Sequence, residues 1–359
     1  MLIKEAIGMF LRSIKVRRKG FNEYKGNHKQ ICKQIIDNCW NNTYFKTSTG
    51  HFSAFYIRDF GMCTEALINL GYKEQVLKTL QFALSIYSRK NKLTTTITKD
   101  NKPINIFTDS PDTLPFLIHS LKLAKADELI KVYKPFLEKE IMNYFNQFIE
   151  VKSGLIYPKY FSSIKDQAKR KTCCYDACMA GMLSNDLNTL NLPNPLKQFD
   201  YKEIIKDSYW NGKYFEDTLF ENYISGDANV FPYWCGIIDD KKMLKQSIKA
   251  IKEKELDYPF PLKYTINRTH KFLFWTKIFS PNYEGTTIWA HLGLCYLDIV
   301  AKADKKLLKK YLEMYKEQIE KHKTFLEVYK PNGDIYKTPF YISDEGMLWA
   351  SKYLYLSKL

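Results

Sequence analysis

The sequence predicts an all-α fold, an (α/α)6 barrel of six helical hairpins, with β-structure confined to small hairpins in loops. Three observations lead there. Apolar residues recur at helical spacing along nearly the whole chain, and strand-like alternation is scarce. Short, plain connections alternate with long ones rich in aromatic and acidic residues. An acidic residue stands at or near the start of each helix that follows a long connection: Asp59, Asp112, Asp176, Asp227, Glu284 and Asp344.

The chain opens with "MLIKEAIGMFLRSIKVRRKG". Leu2, Ile3, Ala6, Ile7, Phe10, Leu11 and Ile14 share one helical face, which predicts an amphipathic helix over 1–20. Lys4, Glu5 and Arg12 interrupt the apolar run, so it does not read as a signal peptide. That face suits docking on the body of the protein or lying on a membrane surface. Further helices are predicted over 27–42, 59–71, 73–90, 113–124, 126–149, 173–190, 200–209, 227–238, 240–254, 286–302, 304–323 and 343–357. "KLTTTITKD" and "INIF" read as a small hairpin between two of them. The acids recur at intervals of roughly 50–65 residues, as one supersecondary unit per period requires. If the six helices they open form a parallel inner ring, their N-termini converge on one mouth. An acidic residue at a helix start is also an ordinary cap, and that reading is preferred for Asp176 and Asp344.

Composition narrows the function classes. With 359 residues, 45% of them hydrophobic, the chain can bury one large core, and no linker or low-complexity stretch divides it, so 1–359 reads as one domain. The net charge of +16 comes mostly from Lys scattered along helices, as in "KADKKLLKKYLEMYKEQIEKHK", which reads as a solvated face; no nucleic acid is expected as a partner. Eight Cys include no C-x-x-C pair and read as buried thiols of a cytoplasmic protein. "TCCYDACMAG" has no common metal spacing, and His51, His119, His270 and His291 form no H-E-x-x-H pattern. No P-loop, no dinucleotide fingerprint and no segment fit to span a bilayer is present.

Five stretches carry chemistry. "FYIRDFGMCTEALINLGY" places Arg58 and Asp59 at the start of an apolar helix, with Phe55 and Tyr56 beside them. "TDSPDTLPFLIHSL" places Asp109 and Asp112 before another. "NYEGTTIWAHLGLCYL" contributes Tyr283, Glu284 and Trp289, and "FLEVYKPNGDIY" followed by "SDEGMLWASKYL" contributes Glu327, with Glu345 in reserve. A fifth, "ENYISGDANVFPYWCG", combines Asp227 and Asn229 with Trp234, hydrogen-bonding groups beside flat apolar ones. In this order the first four stretches resemble the motifs of the six-hairpin glycosidases: glucoamylases, glycogen-debranching glucosidases and neutral/alkaline invertases. The likeness runs through most of Trp40–Leu359 as short segments. Pro115 and Phe116 stand where those families carry Leu and Trp.

The resemblance implies an inverting glycoside hydrolase acting on an α-glucoside or related small saccharide. Such enzymes use one carboxyl group to protonate the leaving oxygen and another to activate a water. On this reading Asp112 is the general acid and Glu327 the general base. Tyr56, Arg58, Asp59, Asp109, Asp227, Asn229, Trp234, Tyr283, Glu284 and Trp289 bind the sugar, since carboxylates accept from vicinal hydroxyls and guanidinium donates through its fork. The two-carboxylate mechanism calls for no metal or organic cofactor. Two other readings stay open: a sugar phosphorylase, for which Arg170, Lys171 and Arg268 are the basic candidates, and a non-catalytic glycan-binding protein.

Overall fold

The computed structural model describes residues 2–267, 271–272 and 279–359, with side chains over 7–267 and 279–359. Arg268 and His270 lie outside the described residues. Helix α1 spans Leu2–Lys19. Six outer helices follow, α2 (His28–Cys39), α4 (Lys73–Lys90), α6 (Asp127–Phe148), α8 (Tyr201–Tyr209), α10 (Lys241–Glu253) and α12 (Lys305–His322). They alternate along the chain with six inner ones, α3 (Ile57–Asn69), α5 (Thr113–Ala124), α7 (Cys174–Thr189), α9 (Gly226–Trp234), α11 (Ala290–Ala303) and α13 (Ala350–Leu356). Each inner helix packs on the next and α13 returns to α3, which closes the ring predicted from the rhythm of the loops.

Sequence pattern decides which helix goes where. Outer helices bury one stripe: α12 buries Leu307, Leu308, Tyr311, Tyr315 and Ile319 and leaves Lys305, Lys306, Lys309 and Lys310 exposed. The lysine excess is therefore a solvated face, as read from its spacing. Inner helices are buried nearly all round; in α7 every residue from Cys174 to Ser184 is buried. Close packing sets local demands. A Cβ on Gly61 of α3 would stand 2.5 Å from the Phe116 ring of α5, so glycine lets these two inner helices touch.

Two inner helices start later than predicted. α11 begins at Ala290 and α13 at Ala350, so Glu284 and Asp344 lie on the loops before them. Two-residue strands stitch these loops together: β8 (Ile288–Trp289) pairs antiparallel with β9 (Val328–Tyr329), matching Trp289 with Val328. The expected hairpin exists as β2 (Thr96–Ile97) with β3 (Pro103–Ile104), and β1 (Phe55–Tyr56) joins it. Short pairs β4 (Ala168–Lys169) with β7 (Lys271–Phe272), and β5 (Glu216–Thr218) with β6 (Glu221–Ile224), complete the mouth loops.

Helix α1 docks on the body through buried Ser13 and Val16. Among the described residues no helix is long and apolar enough to cross a membrane. All eight cysteines are free thiols, and seven are buried.

Candidate active site

The six inner N-termini meet at one end of the barrel, and a chain of contacts traces the circle. Arg58 of α3 holds Asp112 at the start of α5. Tyr175 of α7 donates to the same carboxylate at 2.8 Å. Cys174 of α7 reaches the Ala228 carbonyl of α9, and Gly226 of α9 bonds Tyr264. The Tyr264 hydroxyl meets His291 of α11 at 3.0 Å. The His291 ring lies 4.8 Å from that of Trp349, and Trp349 Nε1 donates to Asp59 Oδ1 at 2.9 Å, back on α3.

The acids at this mouth are not spent on caps. Asp or Asn caps the outer helices α2, α8, α10 and α12, at Asn27, Asp200, Asp240 and Asp304. In contrast, α3, α5 and α7 start with no side-chain cap, and Ser225 rather than Asp227 caps α9. The capping explanation for Asp176 and Asp344 falls with these: Asp176 accepts from the Cys173 thiol, and Asp344 accepts the backbone N–H groups of His51 and Phe52 and the Ser48 hydroxyl. Carboxylates released from capping are available for ion pairs and substrate.

Arg58 organises one side. Its Nε donates to Asp112 Oδ2 at 2.6 Å, and its terminal nitrogens reach Asp166 at 3.1 and 3.2 Å. Asp112 also accepts from Ser110 at 2.6 Å and is fully buried. Every neighbour bonded to it donates, and no part of it is exposed, so Asp112 anchors Arg58 from inside the protein. Asp59 is half-buried; desolvation pushes its carboxyl up to about 6, against the pull of Arg58 and Trp349. Tyr56 lies beside it, half-buried, its ring edge-on to Phe52. Phe55, its neighbour in the sequence, is wholly in the core.

Glu327 organises the other side. Tyr283 and Tyr341 donate their hydroxyls to Oε1 and Oε2 respectively, and the Asp344 N–H adds a third bond at 3.0 Å. Desolvation and then the charge of Asp344 push this carboxyl up to about 7, while the phenols pull it down. Trp289 fixes Tyr283: its Nε1 donates to the Tyr283 carbonyl at 2.7 Å and the two rings stand edge-to-face. Glu345, the reserve base, faces away, taking the Asn22 N–H at 2.7 Å.

A residue that the motifs did not single out completes the mouth. Asp166, in "SSIKDQAKRK", is held by Arg58 and Ser162, and 23% of its side chain is exposed. Buried Glu284 lies beside it, accepting the Gln167 N–H at 2.7 Å. Desolvation first, then the charge of Asp166, push Glu284 up to about 8. Glu284 therefore keeps its proton to higher pH than a free glutamate does, burial being the larger cause and the charge of Asp166 the second.

Four expected sugar ligands sit elsewhere. Asp227 is fully buried in an ion cluster, 2.7 Å from Arg170 and 2.9 Å from Lys165, which Asp217 shares. Asn229 is fully buried and bonds Phe215 N, Phe215 O and Ser225 O, pinning the β5–β6 hairpin to α9. Trp234 ends α9, about 10 Å along the axis from Asp227, and donates to Asp298 deep in the barrel. Asp109 is exposed and bonded by Asn105 and by Gln147 of outer helix α6.

No protein-family model matches the chain, and no curated protein matches it. Solved structures do. A rhamnosidase from Klebsiella oxytoca with rhamnose bound superposes with a TM-score of 0.63 at 10% identity, over 93% of this chain and 64% of that one. A glycosidase variant in complex with glucose gives 0.66 at 11% identity, over 99% of this chain and 97% of that one. A GH63 mannosylglycerate hydrolase from Thermus thermophilus, in complex with Tris and D-glycerate, gives 0.62 at 8% identity, over 92% and 100%. The chain spans 64% of the length of the rhamnosidase and nearly all of the other two. Their fold is the helical barrel found here.

Proposed function

We propose that this chain is an inverting glycoside hydrolase acting on an α-glucoside or a related small saccharide. One arrangement carries the reading: Tyr283, which donates to Glu327, is followed directly by Glu284, which lies beside Asp166, so buried carboxyls of both sets belong to the same mouth loops. Three barrels of this shape, described as a rhamnosidase, a glycosidase and a mannosylglycerate hydrolase, support it.

Glu327 is the base. Its carboxylate, oriented by Tyr283 and Tyr341, takes a proton from the attacking water. The acid is the Asp166–Glu284 pair rather than Asp112. Buried Glu284 holds the proton, and Asp166, its partly exposed neighbour, passes it to the leaving oxygen. Water attack from one side and protonation from the other invert the anomeric centre. Asp59, held by the buried Trp349, accepts from hydroxyls of the reacting sugar and Arg58 donates to them, with half-buried Tyr56 alongside. The two-carboxylate chemistry leaves no step for a metal or organic cofactor.

The phosphorylase reading needs a cation for phosphate. Among the described residues, Arg58 at the mouth, and Lys165 and Arg170 in the buried ion cluster with Asp227, are each matched by carboxylates. Hydrolysis is the better fit. The test is turnover of a panel of α-linked disaccharides, rhamnosides and glycosyl-glycerates with and without phosphate. Phosphate-independent release of free sugar is expected. Release only with phosphate, as a sugar phosphate, favours the phosphorylase. Binding without turnover favours a glycan-binding protein.

A further inference from the structure

Helix α1 is not part of the ring, yet it reaches the base. Arg12 donates through NH1 to the carbonyls of Ile342 at 2.9 Å and Ser343 at 3.3 Å, and through NH2 to Ser343 at 3.2 Å. The same guanidinium lies 3.1 Å from Asp344 and 3.3 Å from Glu345, with its side chain 12% exposed. The segment it grips carries two of the three donors to Glu327: Tyr341 just before the gripped carbonyls, and the Asp344 N–H just after. The Glu327 N–H in turn bonds the Asp344 carbonyl at 3.0 Å. Two further contacts fix α1 to this stretch, Arg17 to the Thr338 carbonyl and Phe10 against Phe340.

We propose that Arg12 is a positioning residue for the base: α1 clamps the 341–345 segment so that its donors hold Glu327, and the Arg12 charge offsets Asp344 and Glu345 behind it. This rests on Glu327 being the base. The charged and titratable groups facing Glu327 are Asp344, Tyr283, Tyr341, Tyr336 and, through Asp344, Arg12 and Glu345. Asp344 raises the proton affinity of Glu327. A cation bound to Asp344 opposes that effect. Arg12 supplies both planar bonding and charge, which lysine supplies only in part.

The test is the titration of Glu327 in the full-length protein, followed by carbon-13 NMR of labelled glutamate carboxyls. Glu327→Gln identifies the resonance. Replacing Arg12 with Gln keeps a donor for the carbonyls and removes the charge; the midpoint is expected to rise by about half a unit or more. Arg12→Lys is expected to stay near the parent midpoint while kcat drops several-fold at unchanged KM. An unchanged Glu327 midpoint in Arg12→Gln, whatever happens to thermal stability, overturns the proposal and leaves α1 as packing. Failure of the underlying reading looks different: Glu327→Gln then keeps full activity.

Discussion

Arg58 of α3 and Asp112 of α5 form a buried pair, Nε to Oδ2 at 2.6 Å, in which the carboxylate meets only donors. The same guanidinium turns its other edge to the exposed carboxylate of Asp166. One cation thus holds two acids, one fully buried and one partly exposed, to which different roles are proposed. Asp112→Asn is expected to lower stability by about 3 kcal/mol, because it leaves Arg58 short of charge in a buried site. Asp166→Asn is expected to cost about 10³-fold in kcat with little loss of stability. Urea unfolding beside steady-state kinetics on the two variants separates the roles. The opposite pattern returns the acid to Asp112.

Activity should follow a narrow bell in pH. Glu327 must be ionised to act as base and is held near 7, so activity falls as pH drops below that value. Glu284, which holds the proton of the proposed acid, loses it near 8, so activity falls above that value. The limbs of kcat/KM belong to coupled groups and report these midpoints together. A flat profile from pH 5 to 9 contradicts both assignments.

The same proton affects stability. Glu284 has a folded affinity raised far above its unfolded value near 4.5. Its contribution is therefore present at acid pH and is lost as pH rises through about 8. Glu284→Gln, a neutral mimic, should leave the thermal midpoint unchanged at pH 5 and raise it at pH 9 by about 2 °C or more. Equal effects at both pH values rule out a titrating Glu284.

Asp227 belongs to the framework. With Asp217 it balances Lys165 and Arg170, all four side chains being almost entirely buried. Asp227→Asn leaves two buried cations on one carboxylate and should cost about 3–5 kcal/mol. Calorimetry on the purified variant checks this, and KM for any surviving activity should be unchanged.

The barrel was legible because its two kinds of helix differ in composition. Lys305 to His322 alternates a single apolar stripe with lysines, while Cys174 to Ser184 is apolar nearly throughout, and that contrast sorts outer from inner. The positions of Arg58 and Asp59 in the first turn of α3, and of Glu327 beside the start of α11, were legible from short motifs. Asp166 was not. A lone Asp among Lys, Ser and Gln reads as solvated charge, and its partner Arg58 lies 108 residues away. The available signal was its place in a long loop before an inner helix, the same kind of loop that holds the other acids. Trp234 misled in the other direction. Seven residues bring it back to the face of Asp227 but carry it two turns down the barrel, where it bonds Asp298 instead of sugar.

The central claim is that Glu327 and Asp166 together perform hydrolysis with inversion. Proton NMR of the first-formed product from an α-linked disaccharide, before mutarotation, tests it most directly, with Glu327→Gln and Asp166→Asn run alongside. The expected result is the β-anomer from the parent and a loss of about 10³-fold or more in each variant. An α-anomer from the parent, or β-anomer formed at the parent rate by either variant, contradicts it.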